Sequence, residues 1–310
     1  MPIVSCVILS IPATSANLGP GFDCIGVALT LDSKFKFTRL ESGNFSITVK
    51  GLEAERVKTD SSNLSYQAFI KLYKHIQQKP PPVDIEITLG IPLARGLGSS
   101  ATAIVGGLVG ANELAGKPLN QFQLMELAIS MEGHPDNVVP ALIGGCRLAV
   151  TSQTSWKICD VPWHKNIIPI VAIPDFEIST EDARKVLPTQ VSRADTIFNT
   201  AHLGLLLRGL ATGRSDWLKT ALQDKLHQPY RKQLIAGYDT VNSAAIDVGA
   251  YGMVISGAGP TLLALTDMEH SADVVAAIAA TWQQYGIIAS VQPLSIDQQG
   301  VKIISQTQIQ

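Results

Sequence analysis

The sequence predicts an α+β protein built as two domains, and three observations lead there. The chain has 310 residues, more than the roughly 250–300 at which a single hydrophobic core stops growing. Strand-like alternation and helical spacing are interspersed along its whole length. The second half, once two middle helices are set aside as an insertion, reads β-α-β-β-α-β, the order of a ferredoxin-like sandwich. With 46% apolar and 16% charged residues the chain can fill two cores. Pro162, the polar run His164–Lys165–Asn166 and Pro169 mark a change of element, so the predicted domains are 1–164 and 165–310.

Taken in order, residues 3–11 and 25–38 carry strand spacing, the latter through Ile25, Val27, Leu29, Leu31, Phe35 and Phe37. Residues 45–50 and 83–89 alternate in the same way, with Val83, Ile85, Ile87 and Leu89 on one side. Between them, 63–77 places Leu64, Ala68, Leu72 and Ile76 on one helical face. Helices are expected over 99–115, over 120–132 with Asn120 as N-cap, and over 136–142, followed by a strand at 145–151. In the second half we expect a strand at 167–173 and helices at 180–187, 193–211, 214–223 and 238–249. Strands at 251–256 and 261–266, a helix at 271–285 and a strand at 287–294 complete it.

Composition narrows the partners. A formal net charge of −2 gives no electrostatic case for nucleic acid or an anionic membrane. Cys6, Cys24, Cys146 and Cys159 are scattered without metal-ligand spacing, so a zinc site is not expected. No Lys or Arg precedes Lys34, which removes the basic flank of a secretory signal, and no apolar run reaches the length of about 18 residues that a spanning helix needs. The expectation is a soluble cytoplasmic protein acting on small molecules.

The most informative segment is Pro92-Leu93-Ala94-Arg95-Gly96-Leu97-Gly98-Ser99-Ser100-Ala101-Thr102. Gly96 and Gly98 allow turns that a Cβ would block, so consecutive N–H groups can converge on an anion at the N-terminus of the following helix. Ser99 and Ser100 add hydroxyls for phosphate or a metal; the competing reading is a tight loop with Ser99 as N-cap. A Rossmann fingerprint is poorly matched, because Pro92 separates the strand from the glycines and the downstream acid, Glu113, lies inside a helix. The P-loop signature also fails, since the segment has no lysine.

Three further clusters carry chemistry. Glu126 and the run Glu132-Gly-His134-Pro-Asp136-Asn137 are either a surface turn or the wall of a site, and either glutamate could complete the shell of a magnesium ion. In Pro12–Asp23, Asn17 and Asp23 supply an amide and a carboxylate able to grip an amine or hydroxyl. Ser256-Gly257-Ala-Gly259-Pro-Thr261 is a hairpin loop or a backbone approaching a ligand. Arg184 and Arg231 are surface residues unless they face a cleft, where their planar forks suit a carboxylate. His227, Lys185 and Lys232 read as ordinary surface residues.

Together these segments resemble the small-molecule kinase superfamily named for galactokinase, homoserine kinase, mevalonate kinase and phosphomevalonate kinase. Residues 92–102 are similar to its ATP-binding motif. Within it, Pro12–Asp23, His134–Asn137 and Ser256–Thr261 resemble the pattern of the homoserine kinases.

The resemblance implies an N-terminal domain like domain 2 of ribosomal protein S5, with a left-handed βαβ crossover, a ferredoxin-like C-terminal domain, and a homodimer. It implies ATP and Mg2+ as cofactors and L-homoserine as the substrate. Residues 92–102 would then hold the triphosphate, with Ser100 near the metal. The family's metal-binding glutamate lies eight positions before the histidine, and 134 − 8 = 126 selects Glu126. Asn17, Asp23 and His134 would surround the amino and hydroxyl end of the substrate. Arg184 and Arg231 would hold its carboxylate, and Gly257 and Gly259 would bring backbone to it. Asp136 and Asn137 are the catalytic candidates, with Asp136 as the general base of mevalonate-type relatives, although the hydroxyl can also lose its proton without a dedicated base. The rival readings are a related kinase of another small alcohol and a regulator that binds the same ligands without turnover.

Overall fold

The computed structural model describes residues 4–152 and 155–308; residue 3 of the strand predicted over 3–11 lies outside them. In the first half, strands β1 (Val4–Ala16), β2 (Ile25–Arg39), β3 (Phe45–Gly51) and β4 (Val83–Leu89) are joined by helix α1 (Leu64–His75) between β3 and β4. Helices α2 (Ser99–Leu114), α3 (Gln121–Glu132) and α4 (Pro135–Ile143) follow, then the hairpin β5 (Cys146–Thr151) and β6 (Trp156–Val161). The second half runs β7 (Ile168–Pro174), α5 (Thr180–Lys185), α6 (Arg193–Thr212), α7 (Ser215–Ala221), α8 (Gln228–Arg231), α9 (Tyr238–Asp247), β8 (Gly252–Ile255), β9 (Leu262–Thr266), α10 (Ser271–Gln284), β10 (Ala289–Pro293) and β11 (Lys302–Gln308).

The first sheet has seven strands, ordered β11-β1-β2-β4-β3, with β5 also on β2 and β6 on β5. Only β3 and β4 pair in parallel, as a β-α-β unit through α1 requires. Helix α2 is buried along nearly its whole length, because small and apolar residues face the sheet on one side and α1 on the other. Asn120 caps α3 as expected, accepting from the Gln123 amide while the Gln123 side chain accepts from the Asn120 amide.

The second sheet has the order β10-β7-β9-β8, antiparallel throughout, so that β7-α9-β8-β9-α10-β10 forms the ferredoxin-like arrangement. Alternation decides which core each residue enters. Ile170 and Ala172 face α9 and α10, whereas Val171 faces α6 and the first half. Helices α6 and α7, the expected insertion, send Leu206, Leu210 and Leu218 into that shared core beside Val27 and Leu29 of β2. The two halves are therefore welded along an apolar seam, and the polar groups discussed next sit at its rim.

Two strands escaped the sequence reading. β6 closes a hairpin on β5, and β11, placed with the second half in the linear division, pairs antiparallel with β1. Among the described residues no helix is long and apolar enough to cross a membrane.

Candidate active site

Strand β1 ends in a turn held by unusual backbone: Asn17, Leu18 and Asp23 all have positive φ. The strain is borne by specific bonds. Asn17 Oδ1 accepts from the Asp23 amide at 3.0 Å, and Asn17 Nδ2 donates to the Gly257 carbonyl at 2.9 Å. The side chain thus fixes the turn from within and ties it to the second half.

The segment 92–102 passes beneath the same loop. Gly98, at φ +71°, is the N-cap of α2 and offers no side chain to the first amides, leaving them open to an anion. Ser99 is the first helical residue and not the cap. A Cβ at Gly98 would lie 2.0 Å from Thr14 Oγ1 and 3.2 Å from Asn137 Oδ1, and one at Gly96 would lie 2.2 Å from the Ser256 carbonyl. Ser256 Oγ donates to the Gly96 carbonyl at 2.7 Å, and the Thr261 amide donates to the Arg95 carbonyl at 3.1 Å. The glycine loops of the two halves are stitched together, and Gly257 and Gly259 line the cleft between them.

That cleft has a volume of about 300 Å³. It brings together Asn17, Asp23, Ala94, Gly96, Gly98, Ser99, Ser100, His134, Asp136, Asn137, Arg184 and Arg231. Beside it lies an apolar pocket of about 240 Å³ that shares Ser99, Ser100 and Leu64 with the cleft and is walled by Val57, Leu89 and Leu93. The sequence gives no signal for this pocket beyond the apolar character of residues used elsewhere as core.

Several expected residues stand elsewhere. Glu126 does not line the cleft; Glu132 does, and Ser100 Oγ donates to its carboxylate at 2.7 Å. Six residues along a helix turn by about 240°, so the two glutamates cannot share a face. Burial lifts the Glu132 pKa above the usual carboxylate value, and the hydrogen bond from Ser100 offsets only part of this. Arg95 is also turned away. Its guanidinium reaches Glu53 at 3.1 Å, Glu177 at 3.0 Å and the Leu93 carbonyl at 2.8 Å, so it anchors the loop from behind. Leu97, Ala101 and Thr102 are buried in the core, and Pro92 and Leu93 lie outside the cleft wall.

Next to the loop, His134 Nδ1 lies 2.6 Å from Asp136 Oδ1, to which Asn137 Nδ2 also donates at 3.5 Å. Burial disfavours charge on the imidazole, but Asp136 and the nearby carboxylates of Glu132 and Asp23 outweigh it and hold the His134 pKa above its ordinary value. Arg184 forms a two-pronged pair with Asp23 at 3.1 and 3.0 Å. Arg231 is buried, donating through Nε to Ala183 at 3.1 Å and through Nη1 to Gly257 at 2.9 Å, and desolvation draws its pKa down to about 10. It remains a cation at neutral pH. The Phe22 ring lies under both arginines, 5.8 Å from Arg184 and 5.1 Å from Arg231. His227, expected at the surface, is fully buried behind Arg231.

Two places could hold a cation. Asp23, His134 and Asp136 cluster closely, but Arg184 already neutralises Asp23, and His134 is occupied by Asp136. Ser100 and Glu132 offer a hydroxyl and a partly desolvated carboxylate beside the open end of α2, and the one hydrogen bond to that carboxylate among the described residues comes from a neutral hydroxyl. This donor set fits magnesium, which takes one or two protein oxygens and keeps the rest for phosphate and water.

Comparison with known proteins shows the family. Residues 63–145 match the model of the GHMP kinases N terminal domain, and residues 206–284 match that of the GHMP kinases C terminal. The homoserine kinase of Microchaete diplosiphon is 70% identical over 306 residues, covering 99% of this chain and 100% of that one. The homoserine kinase of Nostoc punctiforme is 70% identical over 302 residues, covering 97% and 99%. Among solved structures, the homoserine kinase of Cytophaga hutchinsonii superposes with a TM-score of 0.89 at 30% identity, covering 97% of this chain and 98% of that one. The mevalonate kinase of L. major, in complex with R-mevalonate, shares the fold with a TM-score of 0.72 at 13% identity, covering 96% and 98%. The chain belongs to the homoserine kinase family of the GHMP kinases.

Proposed function

We propose that the protein transfers the γ-phosphoryl group of ATP to the side-chain hydroxyl of L-homoserine, giving O-phospho-L-homoserine for threonine synthesis. One observation carries the reading: a glycine-rich helix N-terminus and two arginines face each other across a single cleft, with Asn17, Asp23, His134 and Asp136 between them. The anion site suits a triphosphate, and an amino acid presents the carboxylate, amine and hydroxyl that the other groups can bind.

In this reading the open amides around Gly98 and Ser99 hold phosphate oxygens, and the apolar pocket at Val57, Leu89 and Leu93 takes the base of the nucleotide. Ser100 and Glu132, in place of Glu126, would hold Mg2+, which would supply charge neutralisation to the phosphates. Arg231 and Arg184 receive the substrate carboxylate, and Asp23 receives its ammonium group once Arg184 turns from Asp23 to the carboxylate. Asp136 takes the hydroxyl proton at Oδ2, because Oδ1 is engaged by His134 and Asn137 while Oδ2 has no hydrogen-bond partner among the described residues. Thr14 holds Asn137 in place through a 2.7 Å hydrogen bond to its Oδ1. The transfer passes through a loose transition state in which positioning and charge stabilisation dominate, so the preformed walls supply most of the catalysis. A cytoplasmic location, a homodimer and a domain division near residue 164 belong to the same proposal.

A coupled ATPase assay with homoserine, mevalonate, galactose and threonine as acceptors tests it. Stimulation by homoserine alone is expected; stimulation by mevalonate or galactose in its place overturns the substrate assignment.

A further inference from the structure

Behind Arg231 the structure buries a histidine. His227 has no exposed surface, and its Nε2 lies 2.9 Å from the Gly19 carbonyl oxygen. A carbonyl can only accept, so Nε2 carries the proton and the neutral ring presents its lone pair at Nδ1. That lone pair faces Arg231 Nη1 at 3.4 Å. The same Nη1 donates to the Gly257 carbonyl, so the two acceptors set its direction.

The surroundings exclude the alternatives for this ring. Phe22 stacks on it with centroids 5.1 Å apart and planes 24° from parallel. Asp224 is the nearest carboxylate, 3.7 Å from Nε2. Its oxygens already accept from the amides of Leu226, His227 and Gln228 at 3.0, 2.9 and 2.7 Å and from Asn199 Nδ2 at 2.6 Å. Its charge is therefore spent on shaping the turn before α8. Burial holds the His227 pKa below the ordinary value against the pull of Asp224, and Arg231 acts in the same direction as burial. A second proton on Nδ1 would also point at a guanidinium.

We propose that His227 is a positioning residue: locked as the Nε2–H tautomer by the Gly19 carbonyl, it uses Nδ1 to hold the guanidinium of Arg231 in the orientation that receives the substrate carboxylate. Because Gly19 lies in the turn that carries Asn17 and Asp23, the imidazole sets the carboxylate-binding wall against the amine-binding wall. The inference rests on the reading that Arg231 binds the carboxylate.

The test compares homoserine with 3-aminopropan-1-ol, which keeps the hydroxyl and amine and lacks the carboxylate. The ratio of the two kcat/KM values does not depend on the fraction of folded enzyme. Arg231→Ala is expected to lower this ratio roughly 10- to 100-fold, the range of a charge-assisted hydrogen bond. His227→Gln keeps a donor for Gly19 at the Nε2 position but carries its acceptor, Oε1, at the far end of the side chain and none at the Nδ1 position, and should lower the ratio roughly tenfold. His227→Asn restores an acceptor near Nδ1 and should bring the ratio back to within about threefold of wild type. If Arg231→Ala lowers the ratio and His227→Gln does not, the positioning role is overturned. If Arg231→Ala itself leaves the ratio unchanged, the carboxylate reading beneath it fails. On the unaltered enzyme, 15N spectra of labelled histidine should show a protonated Nε2 and a bare Nδ1 for His227; a proton on Nδ1 overturns the proposal whatever the variants do.

Discussion

Asn17 and Arg231 donate to the same oxygen, the Gly257 carbonyl, at 2.9 Å each. One side chain leaves the end of β1 and the other the end of α8, so a single peptide in the second half sets the spacing of both. Under the proposed reading, removing Arg231 loses a carboxylate contact while the Asn17 bond still holds the loop. Arg231→Ala should raise KM for homoserine roughly 10- to 100-fold and leave ATP affinity nearly unchanged, as measured by steady-state kinetics and calorimetry. A collapse of ATP binding would instead place this arginine on the nucleotide side.

Ser100 and Glu132 form the second contact with a chemical consequence. Glu132→Gln keeps the shape but removes the charge, so kcat should fall roughly 10²- to 10³-fold and more Mg2+ should be needed for half-maximal rate. The same change relieves a half-buried carboxylate whose desolvation outweighs the help it gets from Ser100 and His134, so the nucleotide-free protein should melt at a higher temperature. Glu126→Gln, six residues earlier on α3, should leave the Mg2+ dependence as in wild type. The opposite ranking in a Mg2+ titration would restore Glu126 as the ligand.

Gly98 and Gly133 both have positive φ, but only Gly98 is crowded. Gly133→Ala should cost about 1–2 kcal/mol from backbone strain alone. Gly98→Ala adds a collision with Thr14 and Asn137, worth roughly 1–3 kcal/mol more, and should abolish nucleotide binding by displacing the start of α2. Thermal melts paired with nucleotide titrations separate the two effects.

Asp136 is buried and has a free carboxylate oxygen facing the cleft. Asp136→Asn should lower kcat roughly 10²- to 10⁴-fold with little change in either KM. A loss smaller than about tenfold would mean that the hydroxyl sheds its proton without this carboxylate, as a loose transition state permits.

Where one face of an element is buried, the sequence was legible. β4 alternates Val83, Ile85, Ile87 and Leu89 inward against Asp84, Glu86 and Thr88, and its observed bounds match the expected ones. Asn120 was legible because a cap is a local bond. β6 and β11 were not, because they are edge strands: in β6 the alternation of Trp156 and Ile158 against Lys157 breaks off at the exposed Asp160, and β11 sets Ile303 and Ile304 side by side before Ser305 and Gln306, all of them exposed. The cleft was legible as four separated motifs, but the facing of individual side chains was not. Nothing in the spacing of Glu126 and Glu132 says which rotates toward Ser100, and Arg95 reads as a loop cation until Glu53 and Glu177 are folded behind it. His227 sits among Lys225, Gln228 and Lys232 in a polar run that gives no sign of the burial His227 gains when Phe22 arrives from β1's exit turn.

The pairing of β11 with β1 has a consequence for biosynthesis. Residues 302–308 follow the entire second sheet in the chain, yet they close the edge of the strand laid down first. The first sheet must therefore wait, with one margin open, until residues 302–308 have left the ribosome, and its last rung arrives only after translation of everything in between.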